Sequence, residues 1–313
     1  MANEIIGECE WLVLVNPHAG DSKGLHDWDE ISALLTKYGI QYHHRFTEYA
    51  RHAVTLIQEL IKHGCHKIIL VGGDGFLNEA VNGIFTQTDI DTRNITLAMI
   101  PVGTGNDWVR SFNIPFDYEG AVKVIKEGKT IMHDIGRVFY FINNAEYSWY
   151  FINMCGIGFD AEVNKKVNAD KGHGRTGPLK YQYHIFTTLI GYHTTQISLN
   201  IDGKSHQHEV FSMNVGIAKY NGGGMKQLPD AVVDDGIFDI TIIGKISRLK
   251  VARHVKDLYD GSYINLPEVT TYAGADIRID SEPKVWLEGD GESLGHTPFR
   301  FEILPQAIRV VKG

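Results

Sequence analysis

Three glycine-rich segments, each closing a short apolar run, constrain this chain more than any other feature of its sequence. Trp11–Val15 runs into Asn16-Pro17-His18-Ala19-Gly20, and 67–71 into Gly72-Gly73-Asp74-Gly75. The run 95–100 leads into Pro101-Val102-Gly103-Thr104-Gly105-Asn106-Asp107. Helical spacing at 31–38, 53–61 and 76–84, with a further strand-like run at 41–46, fills the intervals. Strands and helices in alternation predict a parallel sheet with helices on both faces. Ligands of such sheets bind outside the carboxyl ends of the strands. All three glycine segments fall there.

Beyond about residue 134 the pattern changes. The runs 139–144, 148–153, 196–202, 210–218, 238–243, 276–280 and 299–304 are β-rich, with turn pairs such as Asp202-Gly203 and Asp235-Gly236 between them. Only 179–188 and 249–259 have helical spacing in this half. The expectation is an α/β domain over residues 1–132 and an antiparallel β domain over 133–304. The last strand, about 305–313, is free to return to the first domain.

Composition excludes several classes. A net charge of −8 argues against nucleic acid as the main partner, because phosphate backbones need basic faces. No apolar stretch approaches the roughly 18 residues that span a bilayer. Residues 1–10 are acidic and carry no basic-then-apolar leader pattern, which predicts a cytoplasmic protein. Cys9, Cys65 and Cys155 are far apart and form no metal-binding pair. His43-His44 and His206-x-His208 lie in strand-like segments and are read as surface or packing residues.

The glycine segments carry the chemistry. Gly72 and Gly73 let the backbone approach an anion, and the helix that follows aims its positive dipole end at the same place. Asp74 and Asp107 put two carboxylates above one sheet edge, which suits a hard cation holding a nucleotide's phosphates. Thr104 adds a hydroxyl. The loops are neither a Walker A motif nor a GxGxxG dinucleotide fingerprint.

Taken together, NPHAG, GGDGFLNEAVNG and PVGTGNDWVR resemble the catalytic domain of the diacylglycerol kinase family, most closely its soluble bacterial lipid kinases. Asp134-Ile135-Gly136, Gly156-Ile157-Gly158-Phe159-Asp160-Ala161, Gly177-Pro178-Leu179-Lys180-Tyr181, Pro229-Asp230-Ala231, Asp234-Asp235-Gly236 and Asp290-Gly291-Glu292 extend the resemblance over essentially the whole chain. It implies an α/β fold: a parallel-sheet nucleotide-binding domain like that of NAD kinase and diacylglycerol kinase, followed by an antiparallel β-sandwich. It implies a cytoplasmic, peripherally membrane-associated lipid kinase that uses ATP and Mg²⁺ on a lipid at the membrane surface, and it makes a homodimer reasonable.

Residue by residue, the resemblance implies that ATP is held by Asn16, Pro17, His18, Ala19, Gly20, Thr47, Gly72, Gly73, Asp74, Gly75, Phe76, Leu77, Asn78, Glu79, Gly103, Thr104, Gly105 and Asn106. Asp74, Asp107 and Asp134 match carboxylates of a magnesium and water network. A structural Mg²⁺ falls to the Asp235 side chain and the carbonyls of Val232 and Ile237. Asp290 and Glu292 are the candidates for catalytic base.

One departure stands inside the second loop. The family usually has Thr or Ser after GGDG, and this chain has Phe76. The lost hydroxyl would have faced phosphates or capped the helix. Two other readings follow: an NAD kinase-like small-molecule kinase, which shares the GGDG turn, and a non-catalytic lipid- or nucleotide-binding regulator, which Phe76 would suit. Trp149, Tyr150 and Phe151 are candidates to line an acyl groove, although core packing is the commoner role. Lys165-Lys166 and 171–175 offer a basic loop to anionic head groups.

Overall fold

The computed structural model describes residues 11–103, 105–171, 183–184, 187–189 and 191–313. The chain divides into two units. The first runs to Ile135 and takes in Gly222–Gly224 and Pro305–Gly313; the second holds Gly136–Asn221 and Met225–Leu304.

In the first unit the predicted alternation is present. β1 (Trp11–Val15), α1 (Ala19–His26), α2 (Trp28–Lys37), β2 (Tyr42–Phe46) and α3 (His52–Lys62) come first. β3 (Lys67–Gly72), α4 (Asp74–Thr86), β4 (Thr96–Pro101), α5 (Asp107–Ser111) and α6 (Tyr118–Glu127) follow. β4, β3, β1 and β2 lie side by side, all parallel. The apolar runs of β1, β3 and β4 are almost wholly buried, as expected of strands covered on both faces. Arg309 and Val310, from the last strand, pair in parallel with Thr96 and Leu97 on the outer side of β4.

α6 was absent from the sequence expectations although its signals were present. The Asp117 side chain accepts from the Gly120 amide at its start, and Gly128 closes it in the left-handed conformation at φ 69°.

β5 (Thr130–Ile142) continues into the second unit, where β6 (Ala145–Phe151), β7 (Met154–Gly158), α7 (Phe159–Lys171), β8 (Thr195–Ile201), β9 (Lys204–Val210), β10 (Ser212–Gly216) and β11 (Phe238–Ile243) follow. α8 (Arg248–His254), β12 (Val269–Gly274), β13 (Asp276–Ser281), β14 (Trp286–Gly289) and β15 (Glu292–Val311) complete the chain. The strands run β12-β11-β10-β7-β14-β15, and this set is antiparallel. β13, β8 and β9 add a further antiparallel set, joined to β15 through β13. Phe151, Phe238, Phe299 and Phe301 are at the centre of its core.

Several expectations shift here. The strand expected at 148–153 is the second half of β6, which ends at Phe151, and the chain bends at Ile152-Asn153 before β7. Of the three aromatics considered for an acyl groove, Phe151 is wholly buried and stacks on Phe238. The helix expected at 179–188 lies mostly outside the described residues, as does the basic segment 171–175. Lys165 and Lys166 belong to α7 rather than a loop: Lys165 Nζ is 4.0 Å above the Trp286 ring and Lys166 donates to the Thr188 hydroxyl.

Candidate active site

In the first unit the three glycine segments meet. The first is tightened by Asn16, whose side-chain oxygen accepts from the His18 amide at 3.0 Å while its carbonyl accepts from Ala19. Gly20 stands at φ 59° against Gly103: a Cβ there would come within 3.2 Å of the Gly103 backbone. Gly73 faces Val102 and Asn106, and Gly105 faces Asp74. Thr47 is buried at the end of β2 and its hydroxyl reaches the Val15 carbonyl at 3.5 Å. Glu79 accepts from the Arg51 amide at 3.1 Å, and Asn78 is buried with its side-chain oxygen on Asn82. Thr104 lies outside the described residues.

The loops suit an anion. α4 starts at Gly73 without a side-chain cap, so the positive end of a 13-residue helix is presented at the second loop. A Cβ at Gly75 would meet nothing within 4 Å, which leaves room beside the amides. Among the described residues Asn106 Oδ1 is buried without a hydrogen-bond partner in the third loop, an acceptor for a donor rather than an anion contact.

Each of the expected carboxylates accepts from backbone amides, and Asp74 ties the second loop to the third. Asp74 accepts from the amides of Asp107 (2.9 Å) and Trp108 (3.2 Å), capping α5. Asp107 is buried and accepts from Gly223 (2.7 Å) and Gly224 (2.6 Å), with Arg110 Nε 3.5 Å away. Burial pushes its carboxyl above the usual range, and the two amides and Arg110 work against that. Asp134 is fully buried and accepts from the Gln306 amide at 2.6 Å. The Gly222–Gly224 triplet and Arg110 were missed in the sequence, although three consecutive glycines were there as a signal.

Phe76 is buried, and its ring lies on Gly72: a Cβ at Gly72 would fall 2.6 Å from Phe76 Cδ1. The residue that departs from the family pattern therefore packs down against the end of β3. Gly72→Ala is expected to cost on the order of 1–3 kcal/mol as an overpacked contact. In a Phe76→Thr background the same change should cost far less, a coupling that a double-mutant cycle of thermal unfolding measures.

In the second unit the site is the turn between β14 and β15. Asp290 (φ 48°) and Gly291 (φ 87°) form it, and left-handed backbone at both is what a tight turn of this type demands. Asp290 Oδ1 accepts from the amides of Asn153 (3.1 Å) and Met154 (3.0 Å), and Oδ2 from Ile152 (2.9 Å). Glu292 is exposed at the start of β15.

A third carboxyl, Glu288, supports the turn from beneath. It is 3% exposed, and its Oε2 accepts from Gly291 N (2.9 Å) and Asn164 Nδ2 (3.0 Å). Burial raises its pKa to about 8, helped by Asp160 and Asp290, so the side chain is neutral at neutral pH. Asp160, Asn164 and Asn168 recur every fourth residue along α7 and form a polar seam. Asp160 accepts from Ser212, Asn164 donates to Glu288, and Asn168 donates to the Gly291 carbonyl and Ser293.

The sign of the pH effect follows. Glu288 is neutral in the fold and ionises in the unfolded chain above its ordinary value near 4.5. Its contribution to stability is complete below that pH, fades as pH rises, and is gone above about 8. Glu288→Gln, which keeps the neutral shape, should gain several degrees of Tm over the parent between pH 5 and 8. Parallel Tm profiles would contradict the assignment.

The positions implied for a structural Mg²⁺ share one short loop. Val232 and Asp235 are exposed, and Asp235 accepts from the Ile237 amide at 3.2 Å. Nearby Asp239 is raised to about 6, first by burial and then by the charges of Asp235 and Asp230. That accumulation of negative charge fits a divalent cation. Among the described residues no three His, Cys, Asp or Glu side chains gather into a metal cage.

Residues 10–138 match the diacylglycerol kinase catalytic domain, and 153–312 match the YegS C-terminal NAD kinase beta sandwich-like domain. The Bacillus subtilis (strain 168) protein YtlR, provisionally named a lipid kinase, is 29% identical over 96% of this chain and 98% of its own. The diacylglycerol kinase of Staphylococcus aureus (strain MRSA252) is 30% identical over 95% of this chain and 90% of its own. A crystal structure from Bacillus anthracis str. Sterne, provisionally named a diacylglycerol kinase, superposes with a TM-score of 0.76 at 25% identity, covering 97% of this chain and 98% of that one. Yeast NADH kinase shares the fold at a TM-score of 0.54 and 12% identity.

Proposed function

The chain belongs to the diacylglycerol kinase family, and from that premise we propose that it transfers the γ-phosphate of ATP to the hydroxyl of a lipid, diacylglycerol first among them. The observation that carries the reading is the meeting of three glycine loops at the open end of α4, where Gly20 lies against Gly103, Asp74 ties the second loop to the third, and Asp107 holds the Gly222–Gly224 turn beside them. Fixed amides and a helix dipole in that arrangement hold phosphates without reorganising during the reaction.

In this reading the loops of Asn16 to Gly20, Gly72 to Glu79 and Gly103 to Asn106 bind the nucleotide, and Thr47 closes its side. The acceptor oxygen forms a bond to the γ-phosphorus while the bond from that phosphorus to the β,γ-bridging oxygen breaks and ADP leaves. Glu292 takes the hydroxyl proton. Asp290, with its oxygens committed to three amides, fixes the turn that carries Glu292, and neutral Glu288 holds the same turn through Gly291. Mg²⁺, when bound, supplies positive charge against the phosphates and the acidic loop around Asp235.

The support for Asp235 as a metal-holding residue is the gathering of Asp230, Asp235 and Asp239, where the charges of the first two add to burial in raising the Asp239 carboxyl. Asp235→Asn is expected to raise the Mg²⁺ concentration for half-maximal activity by about tenfold, the loss of one charged ligand being worth roughly 1.4 kcal/mol. An unchanged magnesium titration would remove it from the site.

The function itself is tested by ADP release with Mg·ATP and either dispersed diacylglycerol or NAD as acceptor. Release that depends on diacylglycerol supports the proposal. Release that depends on NAD would transfer the chain to the second reading.

A further inference from the structure

From residue 244 to residue 256 the chain carries Lys245, Arg248, Lys250, Arg253 and Lys256 and no acidic residue, in a protein whose net charge is −8. This local reversal of sign sits on α8 and the residues flanking it, all within the second unit. Ser247 caps the helix by accepting from the Lys250 amide, and no residue of the helix is buried. Two of the five cations are already used: Lys245 pairs with Glu209 at 3.6 Å and Lys250 with Glu268 at 2.6 Å. Arg248, Arg253 and Lys256 are exposed and form no salt bridge with any described carboxylate.

Large apolar side chains stand among these free cations. Leu249 is 71% exposed, Val255 44% and Tyr259 55%. Leu249, Ala252, Arg253 and Lys256 recur at helical spacing and share the outward face. One exposed leucine is ordinary on a protein surface, but Leu249, Val255 and Tyr259 stand together among three cations that form no salt bridge. A surface that meets anionic head groups uses both: the cations attract the charged plane, and the aliphatic tips enter the boundary beneath it. The apolar residues are interleaved with cations and form no groove, so the face suits a planar charged surface rather than a peptide or helix.

We infer that α8 and its flanks, with Leu249, Val255 and Tyr259 entering and Arg248, Arg253 and Lys256 pairing with head groups, form the surface on which the protein sits on an anionic bilayer. The purpose of that contact rests on the lipid-kinase reading; the contact itself does not. It also differs in place from the basic residues expected in the sequence, since Lys165 and Lys166 are occupied by Trp286 and Thr188.

The test is cosedimentation of the full chain with vesicles of phosphatidylglycerol mixed into phosphatidylcholine, and with phosphatidylcholine alone. The parent should bind only the anionic vesicles and be released by salt, which shrinks the Debye length to about 3 Å at 1 M. Each cation near such a surface is worth about fivefold in partitioning, so Arg248→Gln/Arg253→Gln/Lys256→Gln together should lower binding about 100-fold. Leu249→Ala alone should lower it severalfold with no change in salt sensitivity. Turnover of a short-chain, fully dispersed diacylglycerol should be unchanged in all these variants, and a Tm equal to the parent's shows that they fold.

Equal binding by the triple variant would overturn the inference, as would a parent that ignores anionic vesicles. A parent that is dimeric in sedimentation velocity and becomes monomeric in the triple variant would overturn it too, by assigning the face to a second copy. If the vesicle results hold while no acceptor lipid is phosphorylated, the surface stands and the kinase reading falls.

Discussion

Asp290→Asn is expected to lower kcat by about 100-fold through misplacement of the turn, with a loss of stability of about 1–3 kcal/mol from an unsatisfied amide. The reason is geometric. Three backbone amides, those of Ile152, Asn153 and Met154, donate to the two oxygens of one carboxylate. Asparagine offers one oxygen and an NH₂, so at least one amide then faces a donor. The turn begins at Asp290 in a left-handed conformation that asparagine tolerates, so backbone strain does not explain the loss. Steady-state turnover and thermal unfolding of the same preparation check both halves. Full turnover at unchanged Tm would show that the three-amide cradle is dispensable.

Glu292→Gln is expected to behave differently, with kcat reduced about 100- to 10,000-fold, the usual worth of a general base, and no measurable change in Tm. Glu292 is exposed at the start of β15, so its removal leaves the core untouched. The ATP concentration for half-maximal rate should stay near the parent's, because the nucleotide loops belong to the other unit. Turnover, nucleotide dependence and Tm together separate the two carboxylates of the turn. If Glu292→Gln turns over normally, the proton is taken elsewhere.

The contrast between these residues shows what the sequence could and could not disclose. The parallel half was legible because β1, β3 and β4 are apolar runs followed by glycine-containing turns, and both signals are local. Their convergence followed from the rule that such sheets bind at one edge. The partners of the aspartates were not legible. Asp74 caps a helix 33 residues away, Asp107 holds a glycine turn 116 away, and Asp134 meets Gln306 at a separation of 172. No spacing rule reaches so far.

α7 escaped notice for a different reason. Its apolar row is only Phe159, Val163 and Val167, and the neighbouring inward row is the polar Asp160, Asn164 and Asn168, which dilutes the apolar periodicity. Glu288 was hidden by the same logic. Leu287, Glu288 and Gly289 are all buried, which breaks the alternation expected of a strand with one wet face. Buried polar seams are costly unless fully paired, and this one supports the turn on which the proposed chemistry depends. Phe76 was legible as a departure, but only the structure shows it lying on Gly72.

The most direct measurement is mass spectrometry of lipid products after incubation with Mg²⁺ and ATP carrying ¹⁸O in its terminal phosphoryl group. Diacylglycerol should become phosphatidic acid that retains the label, one ADP should appear per lipid phosphorylated, and Glu292→Gln should nearly abolish both. Unlabelled lipid beside labelled inorganic phosphate, or label carried only by NADP when NAD is present, would contradict the account.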